Sequence, residues 1–242
     1  MSEHEPRGAH EAVIIPSMVQ GDFDKAAASR EAVPPTIPDV LLPGTLRDLV
    51  AADEVEVRNL DCTDETALEE SFTELDIEGA RFSHCRYAGC DFTQSIFRDV
   101  AFEDCDFSNA KMDSTGFVRC SFTSCKLTGA SFLESSFEDV RLKDCSLSYS
   151  ALTQSRWKHM ALHGCDLTGA DMAEMEQRFV RVSECRFADT SFFRTHLAGI
   201  DFTTSLLENV TFSDSMTEFY GAKLNVYQAA SLARCLGIIV EE

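Results

Sequence analysis

Basic residues are scarce in this chain of 242 residues: 21 Lys and Arg face 41 Asp and Glu, a formal charge of −20. Such a surface repels phosphates and anionic lipid, which disfavours direct binding to DNA, RNA or a membrane and favours a basic protein partner. No apolar run nears the ~20 residues of a membrane span. The N-terminus MSEHEPRGAHEA lacks the basic and apolar regions of a secretion signal, so the expected location is cytoplasmic. In a reducing compartment the ten cysteines are expected as thiols. Walker A, GxGxxG, GxSxG, HExxH and CxxC patterns are all missing, which argues against an enzyme and calls for no cofactor and no metal. One Trp and four Tyr accompany 18 Phe, and only six Pro are present, four of them at Pro34, Pro35, Pro38 and Pro43.

Those phenylalanines are not scattered. Stepping by five from Phe72 meets Ile77, Phe82, Tyr87, Phe92, Phe97, Phe102, Phe107, Met112, Phe117 and Phe122, and continues apolar to Phe212 with the single polar exception of Gln177. Two residues before each sits a smaller side chain, as in Ala80, Cys85, Cys90, Ser95, Val100, Cys105 and Ala110. Residues two apart on extended backbone share a side, so both positions point inward and the other three meet water. Five matches neither the helical period nor simple strand alternation. It fits a chain that turns a corner every five residues.

Four corners close a coil, which predicts a second period of twenty. Cys85, Cys105, Cys125, Cys145, Cys165 and Cys185 have that spacing, and Ser205 follows. The fold expected is an all-β solenoid, a right-handed, four-sided parallel β-helix over residues 71–215, with a short C-terminal helix. The segments GADMA, DCDFS, NAKMD, SCKLT and GASFL match A(D/N)LXX, so about three-fifths of the chain resembles the pentapeptide-repeat family.

The ends of a solenoid need caps. Residues 1–43, acidic and marked by prolines, are expected to be a largely disordered extension. Residues 44–70 are expected to form a cap, with Thr45 heading a short helix and Val55, Val57, Leu60 and Cys62 making a partial first coil, after which Thr63 to Glu70 breaks the pattern. Residues 216–242 read as a cap helix from Val226 to Leu236, ended by Gly237 before Ile238 and Ile239. The tail GAKLNVYQAASLARCLGIIV resembles that of the quinolone-resistance branch of the family, including mycobacterial gyrase-binding members, in which C-terminal elements join two rods. The resemblance implies a homodimer, with Tyr227, Leu232, Leu236, Ile238 and Ile239 as the contact. The unbroken register leaves no room for the projecting loops of the Gram-negative members, so the chain is closer to the loop-free type.

The acidity is unevenly placed. Residues 1–70 hold 16 acidic and 5 basic residues, while residues 71–215 hold 22 and 14. Within the coils, the wall centred on Phe92, Met112, Phe132 and Leu152 carries Glu74, Asp91, Asp113, Glu134, Asp171, Glu174 and Asp214 against Lys111 and Arg194. These seven carboxylates are the candidate partner-binding residues. Members of the family with known targets look like DNA mimics that enter the saddle of DNA gyrase, so the resemblance implies a type II topoisomerase partner and quinolone protection. The alternative is a generic protein-interaction scaffold whose acidic wall only solubilises. A third reading gives the cysteine column a soft metal, against the simpler one of small buried side chains. His159 and His163 have the spacing of a helical metal pair but fall on different walls.

Overall fold

The computed structural model describes residues 31–241. They form a right-handed, four-sided parallel β-solenoid of about 8 turns, with a short helix at the C-terminal end. From Glu56 to Thr211 the stacking contacts join residues twenty apart: Ile77 pairs with Phe97, Phe82 with Phe102, Arg86 with Asp106 and Asp91 with Lys111. Two adjacent walls are continuous strand, as in Asp76–Ser83 on Ile96–Glu103. The other two walls are joined by single bridges between turns, except where Arg186–Ala188 pairs with Leu206–Glu208.

The interior follows from the five-residue pattern. Phe97 stacks on Phe117 with ring centroids 5.3 Å apart, and Phe102 on Phe122 at 4.5 Å. Each such pair adds about 0.5–1.5 kcal/mol beyond the burial of the rings. Corners are made by residues in the left-handed region, among them Asp99 (φ 53°), Asp104 (φ 52°), Asn109 (φ 56°) and Asp139 (φ 56°). Asn and Asp tolerate that conformation better than other side chains, so part of the chain's acidity is explained by corners.

The first coil begins one turn earlier than expected. Val57, Cys62, Ala67 and Phe72 are all buried in register, so Thr63 to Glu70 continues the ladder. The apparent break came from Ala67, a small residue in a large slot, and from Glu65, a carboxylate in the cysteine column. Glu65 is 6% exposed and holds the N-terminal cap together. It accepts from the Leu46 and Arg47 N–H groups at 2.9 and 3.0 Å, which open helix α1 (Leu46–Ala51), and from the Tyr87 hydroxyl at 2.6 Å. The Cys62 thiol donates to it as well, at 3.0 Å. Thr45 caps the same helix, accepting from Asp48 N–H at 3.1 Å.

The opposite end closes similarly. Glu218, 1% exposed, accepts from the backbone of Arg194 and Ser213, both at 2.9 Å. Helix α2 (Val226–Cys235) starts in a reciprocal Asn225–Gln228 cap. The Gln228 amide then donates to Phe202 O and Ser205 O at 2.8 and 2.7 Å, occupying carbonyls that a further coil would have paired.

The expected disorder of residues 1–43 needs correcting where the chain is described; residues 1–30 of that extension lie outside the described residues. Residues 31–43 run as an extended strap along one corner of the rod. Leu42–Pro43 pairs with Leu60–Thr63, Pro38 lies over Gly79, Thr36 N–H donates to Asp99 at 2.9 Å and Val33 N–H to Asp139 at 3.1 Å. Arg141 donates to Ala32 O, and Glu31 reaches Arg181 at 3.4 Å. The prolines explain the fit. Three residues of polyproline-like backbone advance ~9.3 Å, and two coils advance ~9.6 Å. Donors three residues apart thus meet carboxylates two coils apart. Gly79 (φ 66°) leaves the room Pro38 needs, since a Cβ there would sit 3.0 Å from the proline ring.

Gln177 keeps the frame but turns its amide outward, donating to His196 O and Ala198 O at 3.0 and 3.1 Å. The polar exception in the ladder therefore bridges two coils instead of filling the core.

Candidate functional site

The seven carboxylates predicted from sequence do share one wall. Single bridges stack Ser71, Asp91, Lys111, Ser131, Ala151, Asp171, Ser191 and Thr211 in a line along it. The wall does not border the corner that carries the strap. The residues differ, however, in what they are free to do.

Asp91, Asp113 and Asp171 are engaged in bonds within and between the coils. Asp91 accepts from Thr93 N–H at 2.9 Å, and Asp171 from Ala173 N–H at 3.1 Å and the Thr153 hydroxyl at 3.1 Å. Asp113 accepts from Leu133 N–H at 3.1 Å and from the Ser131 hydroxyl. Burial pushes the Asp91 carboxyl up, but the Thr93 bonds and then the charge of Lys111 outweigh it and hold the group below the usual carboxylate range. Asp106, Asp166 and Asp201 make the same bond to the residue two ahead. The sequence signal for this role is Asp-x-Ser/Thr, present at all three and at Asp91.

Glu174 is partly neutralised by Arg194 at 3.4 Å and bonded to Gln154 at 3.0 Å. Glu74, Glu134 and Asp214 are exposed and make no side-chain hydrogen bond or ion pair among the described residues. These three occupy one column at the wall's edge. With ~4.8 Å per coil, Glu74 and Glu134 are ~14 Å apart and Glu134 and Glu174 ~10 Å apart. Along one DNA strand a phosphate recurs every ~3.4 Å of helix axis, so this wall is much the sparser array. Two apolar side chains interrupt it: Leu133 and Phe193 are exposed, the latter with the Arg194 guanidinium 4.9 Å over its ring.

The tail residues also separate. Tyr227 and Ile239 are 83% and 88% exposed, and Leu236 and Ile238 about half so. Leu232 is buried in the rod's own core cluster, so its apolar surface closes the last coil and is not available to a second chain.

Nine of the ten cysteines are buried, and Cys235 is exposed. Column thiols donate to backbone carbonyls, as Cys105 does to Glu103 O at 3.3 Å and Phe82 O at 3.4 Å. Burial pushes the Cys120 thiol, which belongs to the column of the adjacent wall, up to about 12. Among the described residues no group of His, Cys, Asp and Glu is arranged to hold a metal. His159 packs on Phe179 beside Asp139, while His163 is exposed and meets Ser183 Oγ at 3.0 Å. No helix among the described residues is long and apolar enough to cross a membrane.

Two family models match the coils: one described as a pentapeptide repeat region over residues 95–172, the other as pentapeptide repeats (8 copies) over residues 76–113. No curated protein matches the chain. Among solved structures, full-length QnrB1, a plasmid-mediated fluoroquinolone resistance protein, is similar at 20% identity, with 76% of this chain and 97% of that one covered and a TM-score of 0.47. HetL, a pentapeptide repeat protein of the cyanobacterium Nostoc involved in heterocyst differentiation regulation, is similar at 11% identity, with 74% and 92% covered and a TM-score of 0.31. The two family models and the unbroken five-residue register identify residues 76–172 as pentapeptide repeats.

Proposed function

We propose that this protein is a non-enzymatic rod that binds a basic protein groove through its acidic wall, in the manner of a DNA mimic, with a type II topoisomerase such as DNA gyrase as the partner. The observation that carries the reading is the column of Glu74, Glu134 and Asp214, three exposed carboxylates with no partner among the described residues, on a wall that the strap leaves open. Repulsion from nucleic acid follows from the same charge. Joining of two rods through Tyr227, Leu236, Ile238 and Ile239 belongs to this proposal, as does action in the cytoplasm.

The test is a gyrase supercoiling assay and a quinolone-induced cleavage assay with the purified protein. Inhibition or protection that is lost on reversing Glu74, Glu134 and Asp214 to Lys supports the reading; no effect of the wild type on either assay refutes it. Asp91 and Asp113 are poor targets for reversal because the first carboxylate holds a turn and the second holds the next coil.

A second reading, a scaffold for an unrelated protein, is favoured by Leu133 and Phe193, which offer apolar contacts that phosphates do not. A pull-down dominated by another protein, combined with an inert gyrase assay, decides for it.

A further inference from the structure

The stacking is interrupted once. Strands Glu176–Arg178 and Arg181–Ser183 pair with the coil before them but with no strand of the coil after, residues 195–214. On those two walls the regular backbone bonds stop: Glu176 N–H donates to Ser155 O and Arg181 N–H to Met160 O, and no equivalent bond follows at His196 or Asp201 among the described residues. On the other two walls the ladder continues, Arg186–Ala188 pairing with Leu206–Glu208 and Ser191 with Thr211. The coil past the gap is itself firmly joined to the C-terminal cap: Leu197 N–H donates to Glu218 O, Gly199 N–H to Gly221 O and Phe202 N–H to Lys223 O.

The gap has two further marks. It opens onto a cleft lined by Val180, Val182, Asp201 and Thr204, over a small apolar void beside Met175 and Trp157. Among the described residues Gln177 is the side chain that reaches across on the strand wall it occupies, while at the corners Thr195 Oγ1 accepts from Met175 N–H at 2.9 Å and Ser205 Oγ from Cys185 N–H at 3.2 Å. The strap, meanwhile, ties the first coil to Arg181 in the last coil before the gap. Coils in a solenoid contact only their neighbours, so a brace that spans several of them joins their opening into one event.

We infer that the rod is two rigid parts joined by a hinge: a strapped body up to about residue 194, and a C-terminal unit of residues 195–241 that pivots on the two intact walls, with the Gln177 side chain as its clasp. The C-terminal unit carries the exposed Tyr227, Leu236, Ile238 and Ile239, so a pivot here changes the angle between the acidic wall of the body and whatever the tail engages.

The hinge is read by paired spin labels on the full chain with Cys235→Ser, since the other cysteines are buried. Labels at Arg156 and His196 span the open walls, and labels at Thr168 and Glu208 span a wall that stays paired. The first pair should give a distance distribution at least twice as broad as the second, and Gln177→Ala should broaden the first alone. Equal widths in the wild type, or a first distribution indifferent to Gln177→Ala, overturn the inference.

Discussion

Replacing Glu65 by Ala tests whether one buried carboxylate closes the N-terminal end. The change removes the acceptor for two backbone N–H groups, a phenol and a thiol, with Leu46 N–H and the Tyr87 hydroxyl left in buried surroundings. A hydrogen bond to a charged group contributes about 1.5–3 kcal/mol, and a buried donor left without a partner costs about 1–3 kcal/mol. These overlap, and α1 can fray to let water reach its first turn, so a total of about 3–5 kcal/mol is expected. At roughly 2–4 °C per kcal/mol for a chain of this size, the melting temperature should fall by about 10 °C. Glu65→Gln keeps one acceptor oxygen and should lose about half as much. Thermal unfolding followed by circular dichroism measures both, and a double-mutant cycle with Tyr87→Phe should show coupling above ~1 kcal/mol. A Glu65→Ala protein within ~1 kcal/mol of wild type would refute the role given to this side chain.

Three other outcomes follow from the packing. A thiol reagent should modify Cys235 alone in the folded protein and all ten cysteines after denaturation, with mass spectrometry identifying the site. Asp99→Ala should weaken the strap by about 1–3 kcal/mol, because it takes a carboxylate from both Thr36 N–H and Arg119; protease sensitivity confined to residues 31–43 would report it. Acid should loosen the C-terminal cap. Burial pushes the Glu218 carboxyl up, but the Ser213 bonds and then Arg194 N–H outweigh it and hold the group low, so its contribution is full above the unfolded carboxylate value of ~4.3 and is lost as pH falls through the lower folded value. Glu218→Gln should flatten that acid limb in a pH series of melting temperatures.

The coils were legible because one residue in five must be large and apolar, and the cysteine spacing gave the four-fold closure without any contact information. The caps and the strap were less so. Glu65 was readable in principle, being twenty residues before Cys85 in an inward slot, yet a lone acid beside the small Ala67 looks like the end of a pattern. Pro34, Pro35 and Pro38 have the composition of a linker; that their rise matches two coils is visible only when coils and strap are set side by side. The acidic wall was found by register alone, but sequence counts charges and not their duties. Asp91 and Asp171 share their charge with turn-forming bonds and Asp113 with bonds to the next coil; a Thr two residues on signals the bond at Asp91 but not at Asp113, where Thr115 stands in that place and donates inward to Phe92 O. Leu232 has the helical spacing of its exposed neighbours, and which side of α2 meets the rod depends on how the helix docks.

The claim that a single wall binds the partner is tested most directly by two matched triple variants titrated against labelled gyrase. Glu74, Glu134 and Asp214 to Lys changes the acidic wall, whereas Glu103, Glu176 and Glu184 to Lys makes the same change of net charge on the other exposed walls. The account predicts that the first weakens binding at least tenfold and the second less than threefold. Equal losses in both would mean that net charge, and not this wall, carries the interaction.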